Sequence, residues 1–411
     1  TSSVTAPSFV GAVTGNVTGN VTGNVTGNVT GDATGLSGNP SINTTGIVTA
    51  TSFVPTTGQL SHRNLVINGA MLVAQRGTSS TSNSYGSVDR YSCQNVGTDE
   101  SPTHSQVDVA SGTTPYTLGF RKALRITNGN QTSGAGAGDS VYFTYTPESQ
   151  DIANSGWNYT STSSNITISF WVKSSVAQEF HGFLLTQDGT NMLYSFSLGS
   201  LSADTWTKVT KTIPGNSNLQ FDNDNGLGFL LRIAMFEGTN KTGSITQNQW
   251  GTFDTNLRYP NFTSTWYTTN DATFETTGLQ IEVGSVATPF EHRSFADELT
   301  RCQRYYQQYV NPCCTGVIPD NGSKAYSIGL QFQTRMRAVP TLTITNAGNG
   351  QNVHDGQSGA DIASLNAADR NVDGASIYLN LDSDLGNFRP GVLGRNDDTS
   401  NTTTYKFAAE I

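Results

Sequence analysis

Between His62 and Arg293, apolar and polar residues alternate in short runs separated by Gly, Asn, Asp and Ser. In the run 165–172, Ile166, Ile168, Phe170 and Val172 share one face of an extended chain, whose side chains point alternately to opposite sides. The runs 141–145, 206–213 and 273–283 alternate similarly, and 227–236 is apolar almost throughout, as in a central strand. Leu65-Val66-Ile67 opens the set. Strands so short and closely spaced, with turn-forming residues between them, predict a two-sheet β-sandwich over residues 62–293.

Upstream the pattern is a tetrad. Gly15-Asn16-Val17-Thr18 recurs at Gly19, Gly23 and Gly27, with looser copies beginning at Gly11 and Gly31. A period of four is two strand steps, so Gly and Val share one edge and Asn and Thr the other. That apolar edge is too thin for one chain to order, because fixing each residue costs about 1–2 kcal/mol. Three identical strands wound about an axis would cover it. Residues 1–61 are therefore expected to form a repetitive fibrous stalk in a homotrimer, with a disordered Gly/Thr/Asn linker as the alternative. The near-repeats 4–10 and 48–54, carrying Phe9 and Phe53, bracket the tetrads and read as devices that fix register.

Downstream, Ser294 with Asp297 three residues later is a capping-box variant. Phe295, Leu299, Cys302, Tyr306 and Tyr309 then fall on one helical stripe, with Arg301 and Arg304 towards its C-terminal half, predicting a linking helix over 294–311 stopped at Asn311-Pro312. The stripe reads as packing between domains. Alternation returns in 326–332, 341–345 and 375–381, which predicts a small C-terminal β-sandwich over 312–411. Its Gly/Asn/Asp-rich stretches, such as 346–359, are longer than connections need. The expected fold class is all-β: stalk, central sandwich, one linking helix and a second, smaller sandwich.

Composition narrows the function. The chain has 411 residues, enough for two or three domains, with 35% hydrophobic and 13% charged residues and 43 Gly. Its formal net charge is −9, which argues against nucleic acid as a partner, since phosphate binding needs clustered Lys and Arg. No apolar run is long enough to span a membrane, so no membrane insertion is expected, and no signal peptide is visible. A start at Thr1 reads as a processed product or a piece of a longer protein. Four cysteines show neither metal spacing nor disulfide-scaffold density, and free thiols are expected. The many Asn-x-Thr/Ser sequons of the tetrads are by-products of the repeat.

No catalytic constellation stands out, and no enzyme is expected. His62, His104, His181, His292 and His354 lack paired metal spacing, and neither a Gly-x-Ser-x-Gly elbow nor a Walker loop is present. No metal or cofactor is expected. Asp222-Asn223-Asp224-Asn225-Gly226 resembles the start of a calcium loop but breaks the EF-hand spacing, so it reads as an Asx-rich turn, with structural Ca²⁺ the minor alternative. Sugar recognition requires an exposed aromatic plate beside amides and carboxylates. Trp171 and Trp206 lie in alternating strands and read as core. Trp250, Tyr259, Trp266 and Tyr267 lie among polar residues and are the candidate glycan platform, set against the plainer reading that they plug sandwich edges.

Four stretches carry a family resemblance. The Gly-Asn-Val-Thr block with residues 48–54 is similar to the low-complexity stalks of tailed-bacteriophage virion fibres, especially those infecting marine cyanobacteria. Asn64-Leu65-Val66-Ile67-Asn68-Gly69, Gln75-Arg76-Gly77 and Val88-Asp89-Arg90-Tyr91 resemble the opening of their carbohydrate-binding-module-like jelly roll. Residues 279–284, 288–291 and 299–306 resemble its closing strand and following helix, and 336–341 a strand entry in their terminal domain. The resemblance implies a trimeric structural virion protein, exposed on the particle and joined to other virion proteins through its stalk. It would contribute to recognition of host-surface polysaccharide. A tailspike-like polysaccharide depolymerase and a capsid-attached decoration fibre without a ligand are the alternatives.

Overall fold

The structure, a computed structural model, describes residues 62–312, 314–318, 328–345, 351–354, 359–383, 389–395 and 403–411. The stalk expected over 1–61 lies outside the described residues.

The described chain is mostly β. Twelve strands build the first body in chain order: β1 (Ser79–Ser80), β2 (Tyr91–Val96), β3 (Thr103–Asp108), β4 (Lys122–Thr127), β5 (Ser140–Tyr145), β6 (Asn165–Ser174), β7 (Gln178–Thr186), β8 (Met192–Leu201), β9 (Thr207–Pro214), β10 (Phe229–Glu237), β11 (Trp250–Thr252) and β12 (Thr273–Val283). One antiparallel sheet has the order β1-β3-β4-β12-β6-β9 and the other β11-β8-β7-β10-β5-β2. Ile166, Ile168, Phe170 and Val172 of β6 are buried between them with Leu231, Ile233 and Met235 of β10, as alternation predicts. Each side chain of this size contributes about 1.5–3 kcal/mol when buried.

The two halves of the resemblance motif close this sandwich on itself. Leu65 N donates to Ile281 O (2.9 Å) and Leu279 N to Gly69 O (2.9 Å). Asn64 Nδ2 donates to Leu279 O, and Asn64 Oδ1 accepts from Ile281 N and Val66 N. Glu291 accepts from Asn64 N at 2.9 Å, and Glu298 from Asn68 N at 2.7 Å. Burial pushes the Glu291 carboxyl up, but the Asn64 and His62 amides and the Arg293 guanidinium outweigh it and hold the carboxyl below its usual range. These motif residues therefore satisfy buried backbone groups.

The linking helix is shorter than predicted. It spans Phe295–Gln303, capped by Ser294, whose side chain accepts from Asp297 N. Phe295 is exposed, and Tyr306 and Tyr309 are not on the helix at all. Tyr306-Gln307-Gln308-Tyr309-Val310 is a strand, because the aromatic and β-branched residues suit a pleated surface and residues 404–408 offer an antiparallel partner. Tertiary pairing overrides the helical stripe.

That strand begins the second body: β13 (Tyr306–Val310), β14 (Cys314–Ile318), β15 (Ile328–Gln331), β16 (Thr341–Thr345), β17 (Gln351–His354), β18 (Gly359–Arg370), β19 (Gly374–Leu381), β20 (Arg389–Arg395) and β21 (Thr404–Ala408). A three-stranded sheet (β13-β21-β16) and a six-stranded sheet (β14-β20-β17-β18-β19-β15) share a core of Val353, Ile362, Ile377, Leu379, Tyr405 and Phe407. The stretch 346–359 is not all loop: β17 and the first residue of β18 fall within it.

Residues 75–77 and 88–91 anchor this body to the sandwich. Arg90, 1% exposed, lies 3.4 Å from the centroid of the Tyr305 ring, pairs with Glu410 and donates to Thr146 O at 2.6 Å. Arg76 reaches Glu410 at 3.0 Å and covers the Tyr306 ring. Arg304 grips Glu148 with two hydrogen bonds of 2.6 and 2.7 Å. The Asx-rich turn at 222–226 joins in: Gly226 N donates to Asp224 Oδ1, and Asn225 exchanges hydrogen bonds with Arg337.

Candidate functional site

Three of the four residues predicted as a glycan platform are core residues. Trp266 and Tyr267 sit on the short helix Thr265–Thr268, both fully buried. Trp266 N donates to Gln178 Oε1 (2.9 Å). Tyr267 stacks on Phe236 at 4.5 Å and donates to Asp139 Oδ2 (3.0 Å). Their polar sequence neighbours are turn and cap residues, which is why the segment read as exposed. Tyr259 is also fully buried. With Ile245, Phe253 and Phe262 it packs segment 238–264 over Tyr142, Phe183, Leu185 and Leu193, on the outward face of the β8-β7-β10-β5 sheet. Trp250 is half-buried at the sandwich edge, 5.3 Å from Tyr194, its Nε1 donating to Pro214 O at 2.7 Å. The fully buried rings of Tyr259, Trp266 and Tyr267 have no face left to stack on a sugar, whereas Trp250 keeps part of its surface exposed.

The outward face of the opposite sheet is different. Since Phe170 and Val172 point inward, Trp171 between them points outward, and the register sets it opposite Lys208 of β9. Beyond this pair Lys173 Nζ lies 5.2 Å from the centroid of the Trp206 ring. Two tryptophans thus occupy one diagonal of adjacent strands and two lysines the other. Both tryptophans are half-buried, beside a small apolar cluster of Phe120, Ala123 and Val109. Reading them as core was wrong about direction, although the alternation already implied it.

Next to Trp171 the surface sinks into a cavity of about 390 Å³. Its walls include Leu118, Phe120, Trp171, Lys208, Phe290 and His292. The Phe120 and Phe290 rings meet edge to face at 4.9 Å, and His292 lies 4.9 Å from Phe290 and 5.1 Å from Phe120. The His292 Nε2 and Leu118 O are 2.9 Å apart, which ties the 284–293 segment to the C-cap of the short helix Thr114–Thr117. Ser169 and Thr288 supply hydroxyls to the lining.

A β-bulge forms the back of this cavity. The register of β12 on β6 shifts between Thr277 and Gln280, and Gly278 takes φ of +68°. A Cβ at Gly278 would lie 2.6 Å from Phe120 Cζ, so both backbone and ring require glycine. Glu282 stands behind the wall with its oxygens occupied by Thr288 N (2.9 Å), Thr288 Oγ1 (2.6 Å) and Gln280 Nε2 (2.9 Å). The arrangement can hold a molecule with apolar faces and hydroxyl edges. Among the described residues no group of three or more His, Cys, Asp or Glu is placed to hold a metal ion. Cys93 and Cys302 are buried free thiols, pushed by burial above their ordinary range.

Phe120 gave no signal in the sequence. Phe290 and His292 lie in or beside the Thr288–Glu291 motif, but only the fold brings them to Trp171. No family model matches the chain, and no curated protein matches it. Among solved structures it is similar to the enzymatically active domain of tailspike protein 4 of bacteriophage CBA120, at 12% identity and TM-score 0.29, covering 54% of this chain and 21% of that one. It is similar to a structure described as "CBM4 structure and function", at 12% identity and TM-score 0.26, covering 53% and 98%. It is also similar to the tandem CBM22-1–CBM22-2 domain of Paenibacillus barcinonensis Xyn10C, at 9% identity and TM-score 0.26, covering 88% and 100%. Likenesses this distant add nothing to the β-sandwich already described.

Proposed function

We propose that the chain is a non-enzymatic, glycan-binding part of a trimeric virion fibre of a tailed phage, contacting host-surface polysaccharide. The observation that carries the binding step is the aromatic cavity of Phe120, Trp171 and Phe290 with Lys208 and hydroxyls at its edge. Sugar rings present C–H faces to aromatic side chains and hydroxyls to polar ones, and this surface offers both. The tetrads of residues 15–30 support the trimer, because their thin apolar edge needs companion copies. The lack of a catalytic constellation in the sequence supports a binding role.

Affinity electrophoresis of the full chain in gels containing host-envelope polysaccharide tests the reading. Retention is expected, and Trp171→Ala is expected to weaken it by about 2 kcal/mol, roughly thirtyfold in Kd. Retention by no host polysaccharide, or equal retention of Trp171→Ala, refutes it. Release of reducing ends during incubation would replace it with a depolymerase. Sedimentation at micromolar concentration should give three chains; a monomer would remove the fibre from the proposal.

A further inference from the structure

We infer that the cavity beside Trp171 takes an acidic saccharide, one carrying carboxylate or sulfate groups. This inference rests on the glycan-binding reading and narrows its ligand. The charge pattern around the cavity points that way. The lining contains Lys208 and His292 and no carboxylate. Lys208 is exposed and makes no ion pair among the described residues. The nearest acid behind the wall, Glu282, is buried and already accepts three hydrogen bonds.

The neighbouring outward positions repeat the bias. Lys173 and Arg125 share one carboxylate, Glu275, at 2.9 and 2.7 Å, leaving one positive charge in excess. Arg121 lies over the Tyr116 ring at 3.9 Å, its Nη1 donating to Tyr116 O and Phe120 O. Strand β6 contains no acid, and the run 203–214 contains only Asp204, in the turn before Trp206. A protein of formal charge −9 thus keeps this aromatic face cationic. A neutral glycan would use only the hydrogen-bond donors of that arrangement, whereas an acidic one would also be drawn towards the face and oriented on it. The cavity holds the ring, Trp171 faces it, and the acid group meets Lys208 at the rim.

The test compares the full chain on three soluble probes: polygalacturonate, dextran sulfate and neutral dextran. Affinity for one or both acidic probes is expected to exceed that for dextran by at least about tenfold, and the stronger of the two identifies the acid group. Raising NaCl from 50 to 300 mM should weaken the acidic complex by about threefold or more, because rim charges are screened. Lys208→Ala should weaken acidic binding by about fivefold and dextran binding by clearly less; its side chain is exposed, so the fold does not depend on it. Trp171→Ala should weaken both. Equal affinity for acidic and neutral probes, or unchanged acidic binding in Lys208→Ala, overturns the inference while glycan binding stands. Acidic binding unaffected by Trp171→Ala would mean charge attraction away from the cavity, and also overturns it. Binding to none of these probes nor to host polysaccharide removes the glycan reading itself.

Discussion

Glu410→Gln separates the ionic part of the anchor between the two bodies from its packing. Arg90 is 1% exposed, and its positive charge is met by Glu410, by Thr146 O and by the faces of Tyr305 and Tyr145. Glutamine preserves the volume and one acceptor but removes the negative charge. Breaking a buried pair by neutralising one partner costs about 3–5 kcal/mol. The carbonyl and two rings remain on Arg90, so the lower end applies, about 3 kcal/mol. Unfolding entropy near 2.1 cal/mol/K per residue over roughly 230 sandwich residues gives about 0.5 kcal/mol/K, hence a fall in Tm of about 6 °C. Differential scanning calorimetry measures this directly. Arg90→Met in the Glu410→Gln background should cost less than the two single changes added together, by at least about 1 kcal/mol. A single variant within about 0.5 kcal/mol of the parent, or strictly additive singles, would refute the claim that this pair is coupled and buried.

Asp89 gives a pH signature. Burial, opposed by Arg76 and Gln75, pushes its carboxyl up to about 6. The folded state then binds the proton more tightly than the unfolded chain, so this group's contribution is complete below about pH 4 and is lost as pH rises through 6. The stability difference between Asp89→Asn and the parent should therefore shift in the variant's favour by on the order of 2–3 kcal/mol from pH 4 to pH 7, in urea unfolding at both pH values; an unchanged difference would contradict the shift. Gly278→Ala should destabilise by about 2 kcal/mol or more, from positive φ and contact with Phe120, and should reduce glycan retention; a neutral effect on both would mean that the bulge does not shape the cavity. Tyr259→Phe should leave retention unchanged and stability unchanged or slightly raised, because the buried hydroxyl has no hydrogen-bond partner among the described residues, whereas Trp266→Ala should cost about 3–5 kcal/mol. Loss of retention in Tyr259→Phe at unchanged stability would restore Tyr259 as a contact residue.

Alternation alone fixed much of the sandwich. Ile166, Ile168, Phe170 and Val172 had to share a face, because the strand period is two regardless of the fold, and the same rule turned Trp171 outward. Ser294 with Asp297 located the helix start for a similarly local reason, a side-chain oxygen capping a backbone amide. What alternation cannot say is which face is later covered. Tyr259 and Trp250 lie on a segment that is polar in sequence yet folded down onto one sheet or its edge. Trp266 and Tyr267 were hidden by a helix only four residues long. Tyr306 and Tyr309 fit a helical stripe but became a strand once 404–408 supplied partners nearly a hundred positions away. The cavity itself depends on Phe120, Trp171, Phe290 and His292 converging from three distant segments. Local spacing encodes direction within an element, whereas burial and convergence are set by long-range pairing, and only the tertiary structure could decide them.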